Sequence, residues 1–223
     1  MIMTLPQKLY LLGYSPDKEK FEVDNLQFRG QRLRAGALAE LVSDQALAVR
    51  PGKRPGAVRL GDAPPKDAFL AEVWKETSPE EPRSWLDLIQ PSAHRAESSV
   101  REQLAAAGEI GIPEIKGLKK LSLLAQHEVP VHHPDHVTAL REEVREPVLQ
   151  DADPLTLPPL ALALTVISAE SDRHHLFSRD ERHAHEATIE AVRERFDAVF
   201  PGLRDALRTS MNALRPSGGG WGQ

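Results

Sequence analysis

The sequence predicts a mainly α, single-domain fold around a central buried apolar helix, with one or two short β-hairpins attached. Three observations predict it. Apolar residues recur at helical spacing over most of the 223 residues, which is the pattern of amphipathic helices. The stretch Leu160 to Ala169 is apolar on every side, and in a soluble chain such a helix belongs in the centre of the fold. A hydrophobic content of 40% over this length supports one full core, whereas two domains would each sit near the small end of the usual range. Residues 1–215 are therefore read as one domain. Residues 216–223, with three consecutive glycines, read as a flexible tail.

The elements follow in chain order. Thr4 with Gln7 makes a capping-box pair, and Leu5, Leu9 and Leu12 then recur at helical spacing. Tyr14 to Lys20 holds Ser, Pro and Asp and reads as a turn, with Phe21 to Val23 extended. From about Asp24 to Leu47 a long helix is expected, its apolar face supplied by Leu26, Leu33, Leu38 and Leu41. Pro51, Gly52, Pro55 and Gly56 end it in a loop, and the runs Ala46 to Arg50 and Ala57 to Leu60 are suited to pair as a hairpin. Helices are expected at Lys66 to Glu76, at Glu80 to Ile89 behind Ser78, Pro79 and Glu81, and at Ala93 to Ala107. Trp74, Trp85 and Leu88 read as core anchors within them. Ile115 to Ala125 reads as a second hairpin. Helices from Pro134 to Leu149, from Pro158 through Ala169, from Ser178 to about Phe200 and from Leu203 to Leu214 complete the chain. No repeat at solenoid spacing is evident.

Composition narrows the function. The absence of cysteine removes disulfides, thiolate metal sites and a cysteine nucleophile together, and fits a reducing, cytoplasmic location. Residues 1–14 lack a basic leader and a long apolar run, so no signal peptide is expected. The longest apolar stretch, Leu155 to Ala169, contains two prolines and falls short of the ~20 residues a spanning helix needs. Membrane contact is therefore expected to be peripheral. A net charge of -5 argues against a nucleic-acid partner. The charge is uneven, however. Between residues 29 and 60 the cations are Arg29, Arg32, Arg34, Arg50, Lys53, Arg54 and Arg59, against Glu40 and Asp44 alone. Such a local excess suits an anionic surface or head group, or else a solvated helix face.

Catalytic constellations find no support, and the chain is expected to be no enzyme. His132, His133 and His136 cluster beside Asp135, and His174, His175, His183 and His185 form a second group. Neither matches a zinc signature. His132 and His136 have the i, i+4 spacing of a helical metal pair, but Pro134 between them favours a helix that begins only there. Both groups are read as surface histidines. There is no G-x-S-x-G elbow, no P-loop and no G-x-G-x-x-G turn between a strand and a helix. The pairs Glu80–Glu81 and Glu142–Glu143 are adjacent in sequence and point in different directions on a helix. No cofactor and no metal are expected.

Four blocks carry a family resemblance. They are Thr4-Leu5-Pro6-Gln7-Lys8-Leu9-Tyr10-Leu11-Leu12-Gly13, Leu33-Arg34-Ala35-Gly36-Ala37-Leu38-Ala39-Glu40-Leu41, Trp85-Leu86-Asp87-Leu88-Ile89 and Val100-Arg101-Glu102-Gln103-Leu104. In this order and spacing they resemble the Golgi phosphoprotein 3 family, and the match extends through Leu160 to Ala169. The composition, rich in proline, arginine and alanine, resembles a bacterial, actinobacterial-type member. The resemblance implies a helical fold with a projecting hairpin that binds phosphatidylinositol 4-phosphate at a membrane surface and acts as an adaptor. In the family the head group is held by a tryptophan and an arginine of one helix and two arginines of another. The matching positions here are Asn25, Arg34, Ser98 and Arg101.

Two of those four positions keep their arginine, whose planar fork of donors matches two phosphate oxygens at once. On a helix His94, Ser98 and Arg101 share one stripe, so a hydroxyl and an imidazole stand beside Arg101, and Arg29 or Arg32 is placed to restore charge from the other helix. For Arg34 the alternatives are a phosphate contact or an ion pair with a carboxylate. For Arg101 they are the same, with Glu97 and Glu102 close in sequence. In the second hairpin Leu118 and Leu121 interleave with Lys116, Lys119 and Lys120. That mixture suits an anionic membrane surface or a homo-oligomer contact, or an edge hairpin folded on its own core with lysines that block aggregation. The expected function is a peripheral adaptor for anionic phospholipid head groups. A protein-interaction module of the same fold without lipid binding is the first alternative, and a metal-dependent hydrolase a more distant one.

Overall fold

The computed structural model describes residues 2–22, 28–111, 129–171 and 176–214. Among these, ten α-helices and two small antiparallel sheets make a mainly α fold. The helices are α1 (Leu5–Leu11), α2 (Arg29–Ser43), α3 (Ala68–Lys75), α4 (Trp85–Ile89), α5 (Ala93–Ala106), α6 (Pro134–Leu149), α7 (Pro159–Ser171), α8 (Arg179–Ala184), α9 (Glu186–Val199) and α10 (Leu203–Ala213). One sheet pairs β1 (Tyr14–Ser15) with β2 (Lys20–Phe21). The other has the order β3 (Leu47–Arg50), β4 (Gly56–Arg59), β5 (Arg83–Ser84).

The expected β3–β4 hairpin forms in the register Leu47 to Arg59 through Arg50 to Gly56. Its third strand comes from a segment expected to be helical. Ser78 opens no helix there: its hydroxyl accepts from the amides of Glu80 and Glu81, a local turn that competes with helix, and Arg83–Ser84 pair with β4. The helix begins only at Trp85, capped by Ser84, whose hydroxyl accepts from the Asp87 amide. The long helix expected from Ser178 is likewise two. Its capping box with Glu181 is present, but His185 leaves helical geometry with φ -112° and ψ 27°, and its ring bonds Asp151 at 3.0 Å. The second hairpin, with Lys116, Leu118, Lys119, Lys120 and Leu121, and the tail 216–223 lie outside the described residues.

The centre is shared by two helices. α7 is buried from Leu162 through Ser168, as an all-apolar helix requires. α2 is buried from Gln31 through Leu41 even though it carries three arginines, and it packs against α1, α3, α4, α5, α7 and α10. Close crossings permit this. A Cβ on Gly30 would stand 1.9 Å from the Ala93 carbonyl oxygen, so the approach of α2 to α5 requires glycine. Trp85 is wholly buried, and its indole N–H donates to the Pro201 carbonyl at 2.9 Å, fixing α4 to the turn between α9 and α10. Among the described residues no helix is long and apolar enough to cross a membrane.

Candidate functional site

The three arginines of α2 leave the helix in different directions and are held by different partners. Arg29 opens α2 and is buried. Its guanidinium carbon lies 4.7 Å from the centre of the Tyr10 ring and 4.8 Å from that of Phe21, both faces of cation–π attraction. Nη1 donates to Glu97 Oε1 at 2.7 Å. Nη2 is buried and has no hydrogen-bond partner among the described residues, and neither has the buried Tyr10 hydroxyl. Burial pushes the Tyr10 phenol up to about 12, partly opposed by the Arg29 cation.

Arg101 belongs to the same corner. It is half-buried on α5, close enough for its charge to act on the Tyr10 phenol. Its guanidinium has no hydrogen bond or ion pair with a described residue. Glu97, one turn earlier on α5, stands beside Arg101 in sequence but binds Arg29 instead.

Arg34 is placed differently. It lies five residues beyond Arg29, about 140° round the helix, and is fully buried. Its Nε donates to the Leu88 carbonyl at 2.6 Å, Nη1 to Glu76 Oε1 at 3.2 Å and Nη2 to Glu76 Oε2. Of the two alternatives for Arg34, the ion pair is therefore formed, and its partner is the residue that ends α3. Arg32, also buried, donates from Nη2 to the Leu9 carbonyl at 3.0 Å and so satisfies one of the orphan carbonyls of α1.

Two further expected residues lie on α5. Ser98 turns its hydroxyl back to the Arg95 carbonyl at 2.8 Å, and His94 is exposed. Asn25 lies outside the described residues. The structure thus brings Arg29 and Arg101 together around Tyr10 and Glu97, and turns Arg34 toward α3 and α4. The apolar spacing of Leu5, Leu9 and Leu12 did not single out Tyr10.

A second concavity, of about 740 Å³, opens between α1, α6 and α7, with Lys8, Glu40, Asp44, Glu109, His136 and Glu143 on walls otherwise apolar. Lys8 bridges to Glu143 at 2.8 Å. Glu40 Oε2 accepts from the Leu5 amide at 2.6 Å, taking up an orphan donor at the start of α1. Burial raises this carboxyl to about 7 against the opposing effect of that hydrogen bond. His136 Nδ1 meets Glu109 Oε2 at 3.0 Å, and the bond holds the imidazole above its ordinary value. Among the described residues, one donor atom from each of His133, Asp135 and His136 lies within 4.8 Å of the others.

Two comparisons bear on this geometry. A family model described as Golgi phosphoprotein 3 (GPP34) matches residues 5–210, from the first turn of α1 into α10. No curated protein matches the chain.

Proposed function

The chain belongs to the Golgi phosphoprotein 3 family, and from that premise we propose that it is a peripheral adaptor that binds anionic, phosphatidylinositol 4-phosphate-like lipid head groups where α1, α2 and α5 meet. One observation carries the reading: the Arg29 Nη2 and the Tyr10 hydroxyl are both buried without a hydrogen-bond partner among the described residues, in a corner where the Arg29 guanidinium lies 4.7 Å from the Tyr10 ring and no described residue engages the Arg101 guanidinium. A buried donor left unmade costs about 1–3 kcal/mol, and a phosphate oxygen supplies what is missing. Arg101 and Ser98 stand at the rim, where a head group arrives from a membrane surface. Arg34 serves as scaffold, because each of its nitrogens already donates to Glu76 or Leu88. The role is binding, with no catalytic step, and the protein works as a cytoplasmic molecule that docks to a bilayer, alone or as a homo-oligomer.

The test is cosedimentation with vesicles of neutral phospholipid, with and without phosphatidylinositol 4-phosphate or phosphatidylglycerol, at low salt. Wild type is expected to sediment with the anionic vesicles only. Arg101→Ala is expected to weaken this roughly fivefold, since a cation at the surface contributes about 1 kcal/mol. Indifference of the wild type to anionic vesicles overturns the reading. The second reading, an interaction module without lipid binding, is favoured by a specific observation: Arg29 and Arg34 both already hold an internal carboxylate. Copurification of one defined protein, unchanged by lipid, would select it.

A further inference from the structure

The start of α6 carries a second, separate arrangement. His133 is its cap residue, Pro134 occupies the first helical position, and Asp135 and His136 follow in the first turn. Proline there fixes the backbone without losing a needed donor, so three potential ligands leave one short, rigid turn. One donor atom from each of His133, Asp135 and His136 lies within 4.8 Å of the others. The two imidazoles face each other with centroids 4.9 Å apart, and His136 Nε2 stands 4.0 Å from Asp135 Oδ2.

The feature that distinguishes this trio from exposed surface histidines is Glu109. Its side chain is buried and accepts from His136 at Nδ1, 3.0 Å away. That bond holds the ring and, with the proton on Nδ1, leaves the Nε2 lone pair free on the side 4.0 Å from Asp135 Oδ2. A carboxylate behind a ligating histidine is the usual second support of a protein metal site: it sets the tautomer, holds the ring and makes the nitrogen more basic. His132, which sequence spacing pairs with His136, is directed away, its Nδ1 lying 3.0 Å from the Gly108 carbonyl.

We propose that His133, Asp135 and His136 form a binding site for a divalent transition-metal ion of the zinc class, with Glu109 as positioning residue for His136. Two imidazoles and one carboxylate suit zinc, whereas calcium and magnesium take oxygen ligands. Tetrahedral bonds of about 2.0–2.2 Å require the donor atoms to draw closer than they stand, which exposed side chains achieve by rotation while the helix turn stays fixed. Three protein ligands leave a fourth position open for water or an incoming ligand. His136 lines the concavity between α1, α6 and α7, so that position lies at its edge. The site shares no residue with the head-group corner, and either stands without the other.

The experiment is titration of the full-length, chelator-stripped protein with Zn²⁺ against a chromophoric metal indicator. Wild type is expected to take up one equivalent that the His133→Ala/His136→Ala double variant lacks and that His183→Ala/His185→Ala retains. Glu109→Gln keeps a hydrogen-bond acceptor but loses the charge, and is expected to weaken that equivalent about 10-fold with the fold intact by circular dichroism. Both ligand histidines are exposed, so the double variant is expected to fold. Zinc uptake by the double variant equal to wild type, or by Glu109→Gln equal to wild type, overturns the assignment.

Discussion

Arg29 and Arg34 stand on the same helix, both buried and each beside a glutamate, yet they are held in opposite ways. Arg34 is closed: a bidentate pair with Glu76 and a third bond to the Leu88 carbonyl engage each of its three nitrogens. Arg29 is half closed: one bond to Glu97, two aromatic rings against its faces and a buried Nη2 without a partner. The difference teaches that burial of a cation does not by itself mark a site. Arg34 sits where three elements must be joined, at the ends of α3 and α4, and its fork does the joining. Arg29 sits where α2 begins, over rings that give it shape but no acceptor. The position matched to a family's ligand contact thus binds an internal carboxylate, and a residue outside that match keeps a buried nitrogen without a hydrogen-bond partner among the described residues.

The largest expected effect tests the closed side. Removing one partner of a buried ion pair costs about 3–5 kcal/mol, because the other charge is left uncompensated. Glu76 retains 23% exposure of its side chain, which places Arg34→Ala at about 3 kcal/mol, the low end of that range. Urea unfolding should show it as a lower midpoint with an unchanged slope. Unaltered stability together with lost vesicle binding would reverse the comparison and return Arg34 to the site.

A smaller effect separates the two glutamates. Glu97→Gln leaves Arg29 beside a neutral amide, so the cation's full charge is available to an incoming phosphate. Vesicle binding is expected to rise by roughly fivefold, the equivalent of one more effective cation at about 1 kcal/mol. Glu76→Gln is expected to lower the unfolding midpoint and leave vesicle binding where it was. Equal behaviour of the two variants in the binding assay would show that the corner of α1, α2 and α5 has no special standing.

What the sequence disclosed and what it withheld follow the reach of the interactions. The central α7, the β3–β4 hairpin and α5 were legible because apolar periodicity and proline or glycine breaks are local signals. The segment after Ser78 was misread, since a turn of Ser78 over Glu80 and Glu81 and a strand that needs β4 as partner outweigh a local capping pattern. The break at His185 depends on Asp151, 34 residues away. At the site, the arginines were legible as a basic cluster but their assignments were not. Glu97 is 68 residues from Arg29 and Glu76 is 42 from Arg34, and spacing within one helix carries no information about either. Glu109 behind His136, 27 residues distant, was hidden for the same reason.

Glu40 supplies the limiting case, a buried carboxylate on α2 that accepts from a backbone amide and has no arginine beside it. Its folded-state value of about 7 exceeds its ordinary 4.5, so the fold binds a proton there more tightly than the unfolded chain does. The stabilising contribution is then full below pH 4.5, and it is lost as pH rises through 7. Glu40→Gln removes the titration but keeps an oxygen that can accept from Leu5. The difference in melting temperature between Glu40→Gln and wild type is therefore expected to move in favour of the variant from pH 5 to pH 8. The change is the smallest of the three, because solvent at the edge of the cleft screens part of the buried charge. A difference constant over that range would show that Glu40 is ionised throughout, and that a single amide hydrogen bond holds a buried carboxylate as effectively as the guanidinium fork of Arg34 does.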